Sequence, residues 1–200
     1  MKVTAEMVKK LRDMTSAGMM DCKKALAEVE GDFEKAKDLL RKKGVAKADK
    51  VAGRSTAEGI VYSYIHHNSK LAVLLELNCV TDFVARTDEF KELAHKISLQ
   101  IASMGARWVS PEDVPEDIIE REKDIYKAQL KESGKPEHVW EKIIEGKLNA
   151  FYDDYCLLNQ EYVFEKGKKI KDMIVETIAK TGENIKISRF VRWTVGEVSE

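Results

Sequence analysis

Leu71, Val73, Leu75 and Leu77 alternate with other residues, the period of a strand with one face in a core. Beyond Arg86 the period changes. Phe90, Leu93, Ala94, Ile97, Ile101 and Met104 recur at helical spacing. The stretch Asn78-Cys79-Val80-Thr81-Asp82-Phe83-Val84-Ala85-Arg86 joins the two. Thr81-Asp82-Phe83 therefore sits where a strand hands over to a helix, at a corner able to hold an aromatic ring and a carboxylate out from a rigid scaffold. Pattern alone leaves a second reading open: Phe83 tucked into the core and Asp82 only capping a turn, because most isolated phenylalanines are core residues.

The same patterning divides the rest of the chain. Thr4 can cap a first helix with the apolar stripe Val8, Leu11 and Met14 or Thr15. Cys22, Ala25, Leu26 and Val29 form the stripe of a second. Gly31 can end it, Asp32 can cap a third, and Phe33, Ala36, Leu39 and Leu40 supply its stripe, with Gly44 as the stop. Residues 1–45 thus read as a compact three-helix domain. Residues 46–56 read as a basic linker and 57–200 as a core domain. A hairpin opens the core, with Gly59 to Ile65 as one strand, His66-His67-Asn68-Ser69 as the turn and Lys70 to Leu77 as the return. Thr87 can cap the helix after the corner. Ser110-Pro111-Glu112-Asp113 is set to start the next helix, and Gly134-Lys135-Pro136 breaks it from another carrying Trp140, Ile143, Ile144, Leu148 and Phe151. Two charged helices with a narrow apolar seam predict a projecting antiparallel helical hairpin over about 112–153. Tyr162-Val163-Phe164 reads as a short strand. Ile170, Met173, Ile174 and Ile178 mark a last helix, and Ile185, Ile187, Val191, Trp193 and Val195 a late strand whose alternation Arg189 and Phe190 interrupt. The fold class expected is α+β, with a three-stranded antiparallel sheet.

Composition narrows the functions. The 200 residues are 44% hydrophobic and 34% charged, enough for a core in a chain that stays soluble. A formal net charge of −1 argues against a protein whose main task is holding nucleic acid. No run of about eighteen apolar residues offers a membrane span, and Met1-Lys2-Val3-Thr4-Ala5-Glu6 lacks the apolar core of a signal peptide. Cys22, Cys79 and Cys156 are odd in number and widely spaced, which suits a reducing cytoplasm and small apolar fillers.

Catalytic constellations are absent from the sequence: no phosphate-binding Gly-x-x-x-x-Gly-Lys-Ser/Thr loop, no Gly-x-Ser-x-Gly elbow and no His-Glu-x-x-His pair. His66 and His67 have no cysteine or carboxylate at metal-ligand spacing. The chain is expected to act on another protein, without a cofactor or metal. Met19 and Met20 are adjacent at a helix start, so both cannot point inward, and a polarizable side chain at the surface suits an apolar partner. The basic run from Arg41 to Arg54 could touch RNA, or could be a solvated connector.

Two blocks carry a resemblance. Asn78 to Arg86, and Leu11-Arg12-Asp13-Met14-Thr15-Ser16-Ala17-Gly18-Met19-Met20-Asp21-Cys22-Lys23-Lys24-Ala25-Leu26, resemble the two signatures of the elongation factor Ts family. The end, Phe190-Val191-Arg192-Trp193-Thr194-Val195-Gly196-Glu197, is also similar. The resemblance implies guanine nucleotide exchange on the translational GTPase elongation factor Tu. It implies that residues 1–45 are a ubiquitin-associated-like domain. Leu11, Met19 and Met20 would form a pocket gripping a helix of the GTPase domain, and Thr81, Asp82, Phe83 and Val84 would dislodge its magnesium. The core would be one half of the doubled core of long family members, without their carboxy-terminal helical module. A three-stranded sheet with little to cover its second face, as in short members, is expected to form a homodimer. The rival reading is a chaperone-like or nascent-chain adaptor, which would bind apolar peptide regardless of nucleotide.

Overall fold

A computed structural model describes residues 3–15 and 17–197. Met1, Lys2, Ser16 and the last three residues, which the expected domains and the amino-terminal block include, lie outside the described residues. The elements in chain order are α1 (Ala5–Thr15), α2 (Met19–Glu28), α3 (Phe33–Val51), β1 (Glu58–Ile65), β2 (Leu71–Cys79), α4 (Asp82–Ala85), α5 (Asp88–Met104), α6 (Glu116–Glu132), α7 (Trp140–Tyr155), α8 (Ile170–Thr181) and β3 (Ile185–Thr194). The class is α+β. The strands form one antiparallel sheet in the order β1-β2-β3.

Contacts divide the chain into two compact units. The first is built from the described residues of Met1–Val61, Glu76–Leu93 and Asp172–Lys186. Its helices start where local chemistry puts them. The Thr4 hydroxyl accepts from Met7 N, and the Asp32 carboxylate accepts from both Glu34 N and Lys35 N, each at 3.1 Å. That pairing holds the Asp32 carboxyl below its usual range. Gly31, at φ 90°, donates its N–H to Leu26 O and ends α2. Val8, Leu11, Cys22, Ala25, Leu26 and Ala36 make the core of the three-helix bundle.

Gly44 does not end α3, as its sequence suggested. The helix continues to Val51, and Gly44 is buried where α3 passes α8, with a Cβ there 3.6 Å from that of Ala179. The missing side chain serves close helix approach. Arg41 then pairs with Asp172 at 3.2 Å, Lys43 with Glu28 at 2.6 Å and Lys47 with Asp21 at 3.0 Å. Half the cations of the basic run are thus engaged within their own unit.

The second unit comprises Tyr62–Leu75, Ala94–Lys171 and the described residues of Ile187–Glu200. Val73 and Leu75 are buried, and Tyr62 and Tyr64 donate to or accept from His95 Nδ1 (3.0 Å) and His66 Nδ1 (2.8 Å) respectively. Two backbone bonds fix the register. His66 N bonds Leu71 O, and Val195 N bonds Lys70 O, so Ile65 and Trp193 lie on either side of Ala72. Leu74 follows two residues on, on the same face. Ile65, Leu74 and Trp193 are exposed there. The loss of alternation at Ser188-Arg189-Phe190 persists in the burial of β3.

Two expectations in this unit fail for stated reasons. Ser110 to Asp113 forms a single 3-10 turn closed by a capping box, and α6 begins only at Glu116. Pro115 has no N–H to donate to the preceding turn and forces Val114 into an extended conformation (ψ 123°). Tyr162-Val163-Phe164 is not a strand. One isolated bridge, Glu161 to Lys169, closes a turn there, because Ile170 already starts α8 and leaves nothing to pair with. Gln100 and Gln160, both buried, hold this region together. Gln100 Nε2 donates to Gln160 Oε1 at 3.1 Å and to Glu161 O at 3.0 Å, while its Oε1 accepts from Val163 N.

The helices α6 and α7 run antiparallel around Gly134 (φ 65°). Leu130 and Leu148 are buried in a narrow seam, and Lys147 lies over the Tyr126 ring. Burial, and then a hydrogen bond to Glu122, pushes the Tyr126 hydroxyl up to about 12. On one side the pair leaves an open groove of about 690 Å3 whose lining includes Lys123, Lys127, Trp140, Ile144, Leu148 and Tyr152.

Candidate functional site

The corner between β2 and α5 is built from short-range bonds. Thr81 is extended (φ −126°, ψ 153°) and its hydroxyl accepts from Val84 N at 3.4 Å, starting the single turn of α4. Thr81, rather than Asp82, is therefore the cap. Thr87 ends that turn and starts the next helix: its hydroxyl donates to Val84 O at 2.8 Å and accepts from Phe90 N. Ala85 and Phe90 anchor the corner inward, both buried. With Ala85 inward on a one-turn helix, Phe83 must face away, and 80% of its surface is exposed. Val84 and Asp82 are half-buried, and the Asp82 carboxylate meets Arg86 at 2.9 Å.

A second anchor comes from far along the chain. The Glu183 carboxylate accepts from Thr81 Oγ1 at 2.7 Å and from Thr81 N at 3.0 Å. Beneath the corner, Cys79 Sγ donates to Thr81 O at 3.1 Å. Burial, and then the Glu183 charge, raises that thiol above its ordinary value. All three cysteines are buried; burial raises Cys22 too and pushes Cys156 up to about 11.

The three-helix bundle presents the other candidate residues. Gly18 precedes the first residue of α2, so Met19 and Met20 sit at an open helix end, 49% and 60% exposed. Met14, at the far side of the same turn, is exposed as well; Thr15 takes the inward position of the stripe. Leu11 has no accessible surface and is part of the bundle core. The two candidate surfaces, Met19 and Met20 on one side and Phe83 on the other, belong to the same compact unit.

Sequence reasoning missed Glu183. Nothing local marks it, and its bonds to Thr81 span 102 residues. Among the described residues no helix is long and apolar enough to cross a membrane.

Comparison with known proteins gives one consistent result. A family model described as "Elongation factor TS" matches residues 2–197. Curated relatives named elongation factor Ts include those of Fervidobacterium nodosum, 64% identical over 197 residues, and Thermosipho melanesiensis, 62% identical over 195. That of Thermotoga neapolitana is 60% identical over 197. Each match covers 98% of this chain and 99–100% of the relative. On this match of nearly the whole chain, the protein belongs to the elongation factor Ts family, nucleotide exchange factors of translation.

Proposed function

We propose that this chain exchanges guanine nucleotide on elongation factor Tu by pressing the Thr81-Asp82-Phe83-Val84 corner beside the partner's magnesium site. The observation that carries this reading is an aromatic ring left 80% exposed on a corner whose backbone is fastened at both ends. Exposing a phenylalanine to water is unfavourable by about 2 kcal/mol relative to burial, and a partner surface removes that cost. In a GTPase, Mg2+ bridges protein and phosphate oxygens. A ring that displaces the segment holding the cation weakens metal and nucleotide together, and by reciprocity nucleotide weakens the factor. No covalent step is needed. The half-buried Asp82 is held by Arg86 and stiffens the turn.

Met19 and Met20 grip the GTPase domain, Leu11 belongs to the core of the bundle that carries them, and residues 1–45 serve as a ubiquitin-associated-like head. In stopped flow, adding the chain to elongation factor Tu loaded with fluorescent GDP is expected to accelerate release. Met20→Ala is expected to raise the concentration giving half-maximal acceleration by roughly three- to tenfold, the loss of about 1 kcal/mol of contact, and to leave the plateau rate near the parent's. No acceleration by the parent chain overturns the exchange reading; an unchanged half-maximal concentration overturns the grip.

The sheet face carrying Ile65, Leu74 and Trp193 supports a homodimer, sheet against sheet, since an apolar face of that kind is unfavourable in water. Sedimentation at micromolar concentration is expected to give a dimer for the parent and a monomer for Trp193→Asp. A monomeric parent overturns the dimer. The reading puts the chain's work in the cytoplasm, with a protein partner and neither nucleic acid nor membrane.

A further inference from the structure

Three side chains at the carboxy-terminal end of α8 and in the turn that follows it, Lys180, Glu183 and Asn184, reach three different segments of the same unit. Lys180 pairs with Glu89 in the first turn of α5 at 2.8 Å. Glu183 takes both donors of Thr81. Asn184 Nδ2 donates to Ala52 O and Arg54 O, each at 3.0 Å, at the carboxy-terminal end of α3. Gly182, at φ 75°, lets the turn close, with its N–H on Ile178 O. The turn is itself fixed to the head's longest helix, since α8 packs on α3 at Gly44 and pairs with it through Asp172 and Arg41. One physical chain of bonds thus runs from α3, which carries the head, to the first residue of the exposed corner.

We propose that Glu183 is a positioning residue for exchange. Its carboxylate fixes the direction in which the Phe83 corner points relative to the head, and Asn184 holds the other side of the same turn. The proposal rests on the exchange reading above. A carboxylate is suited to the task because Thr81 offers two donors, N–H and O–H, to two oxygens. An amide of the same shape offers one oxygen and sets an N–H against the second donor. The corner then keeps its fold, its Thr81 cap and its Phe83 ring, and loses a fixed orientation.

The test is a cycle of variants in stopped-flow GDP release from elongation factor Tu: parent, Glu183→Gln, Phe83→Ala and the double variant, each checked by thermal melting. Glu183→Gln is expected to lower the plateau rate about tenfold, as a displaced contact does, with a half-saturating concentration within about twofold of the parent's because the head still grips. The double variant is expected to be no slower than Phe83→Ala alone, since Glu183 acts through that ring. A parent-like plateau for Glu183→Gln alongside a slow Phe83→Ala overturns the positioning role and leaves the corner's role standing. A parent-like Phe83→Ala overturns the corner reading itself. A fully additive double variant reduces Glu183 to a structural residue and overturns the proposal. Where Glu183→Gln loses rate only as it loses folded protein, Asn184→Ala decides: a parent-like melt with a slowed plateau rate supports the proposal, and a parent-like plateau rate overturns it.

Discussion

Phe83→Ala is expected to melt within a degree or two of the parent and to stimulate GDP release at least tenfold more slowly at saturation. The two halves of that result have separate causes. In the free chain the ring is 80% exposed and touches little, and truncating a surface side chain changes stability by only about 0.5 kcal/mol. In the complex the same ring has its whole face to bury. Aromatic anchors at the centre of an interface lose about 2 kcal/mol or more on truncation, which is roughly thirtyfold in a rate or an affinity. In the proposed mechanism the contact forms as nucleotide leaves, so the loss is expected in the plateau rate rather than in the concentration needed to reach it. A Phe83→Ala chain as fast as the parent removes the wedge from the mechanism.

Gly59→Ala is expected to be the most destabilising single methyl addition in the described residues. Gly59 lies at φ 152°, and a Cβ there would stand 2.3 Å from Leu77 O and 2.7 Å from Asn78 Cα. Those are backbone atoms, so no rotamer change relieves the clash. The strands β1 and β2 must separate at the end that feeds the Thr81 corner, where Asn78 Nδ2 also donates to Glu58 O. Backbone strain and overpacking of this kind each cost about 1–3 kcal/mol, giving roughly 3 kcal/mol or more together. In a chain of this size that lowers the melting midpoint by about 10 °C. Exchange activity should fall with it at 25 °C, through disorder at Asn78 rather than through any lost partner contact. A variant that melts with the parent refutes the close approach.

What was legible in the sequence is what depends on neighbours in the sequence. Thr4, Asp32 and Thr87 were readable as caps because a hydroxyl or carboxylate bonds N–H groups two or three residues on. The strand alternation of Leu71 to Leu77 and the hairpin turn at His66 to Ser69 are local in the same sense. Gly44 was misread because a glycine that ends a helix and one that admits a second helix look alike, and the neighbour that decides, Ala179, is far away in the chain. Pro111 misled because Pro115, four residues later, overrides it. At the site, the corner's position followed from the change of period, but the exposure of Phe83 did not; the family resemblance carried that expectation, and the burial of Ala85 on the opposite side of one helical turn gives its physical reason. Leu11 fits its own stripe better than it fits a contact surface. Glu183 was invisible because a single glutamate after a glycine carries no mark of the backbone it will hold.

The burial of Cys22, Cys79 and Cys156, with each thiol harder to ionise than in water, has a use beyond packing. A thiol reagent in solvent can react only when the surroundings of a given sulfur open. One of the three lies in the bundle, one beneath the Thr81 corner and one at the foot of the helical pair, beside Trp108. The unmodified chain therefore carries three native breathing gauges, and the modification rate at each reads how often that region exposes its interior, with and without the GTPase bound.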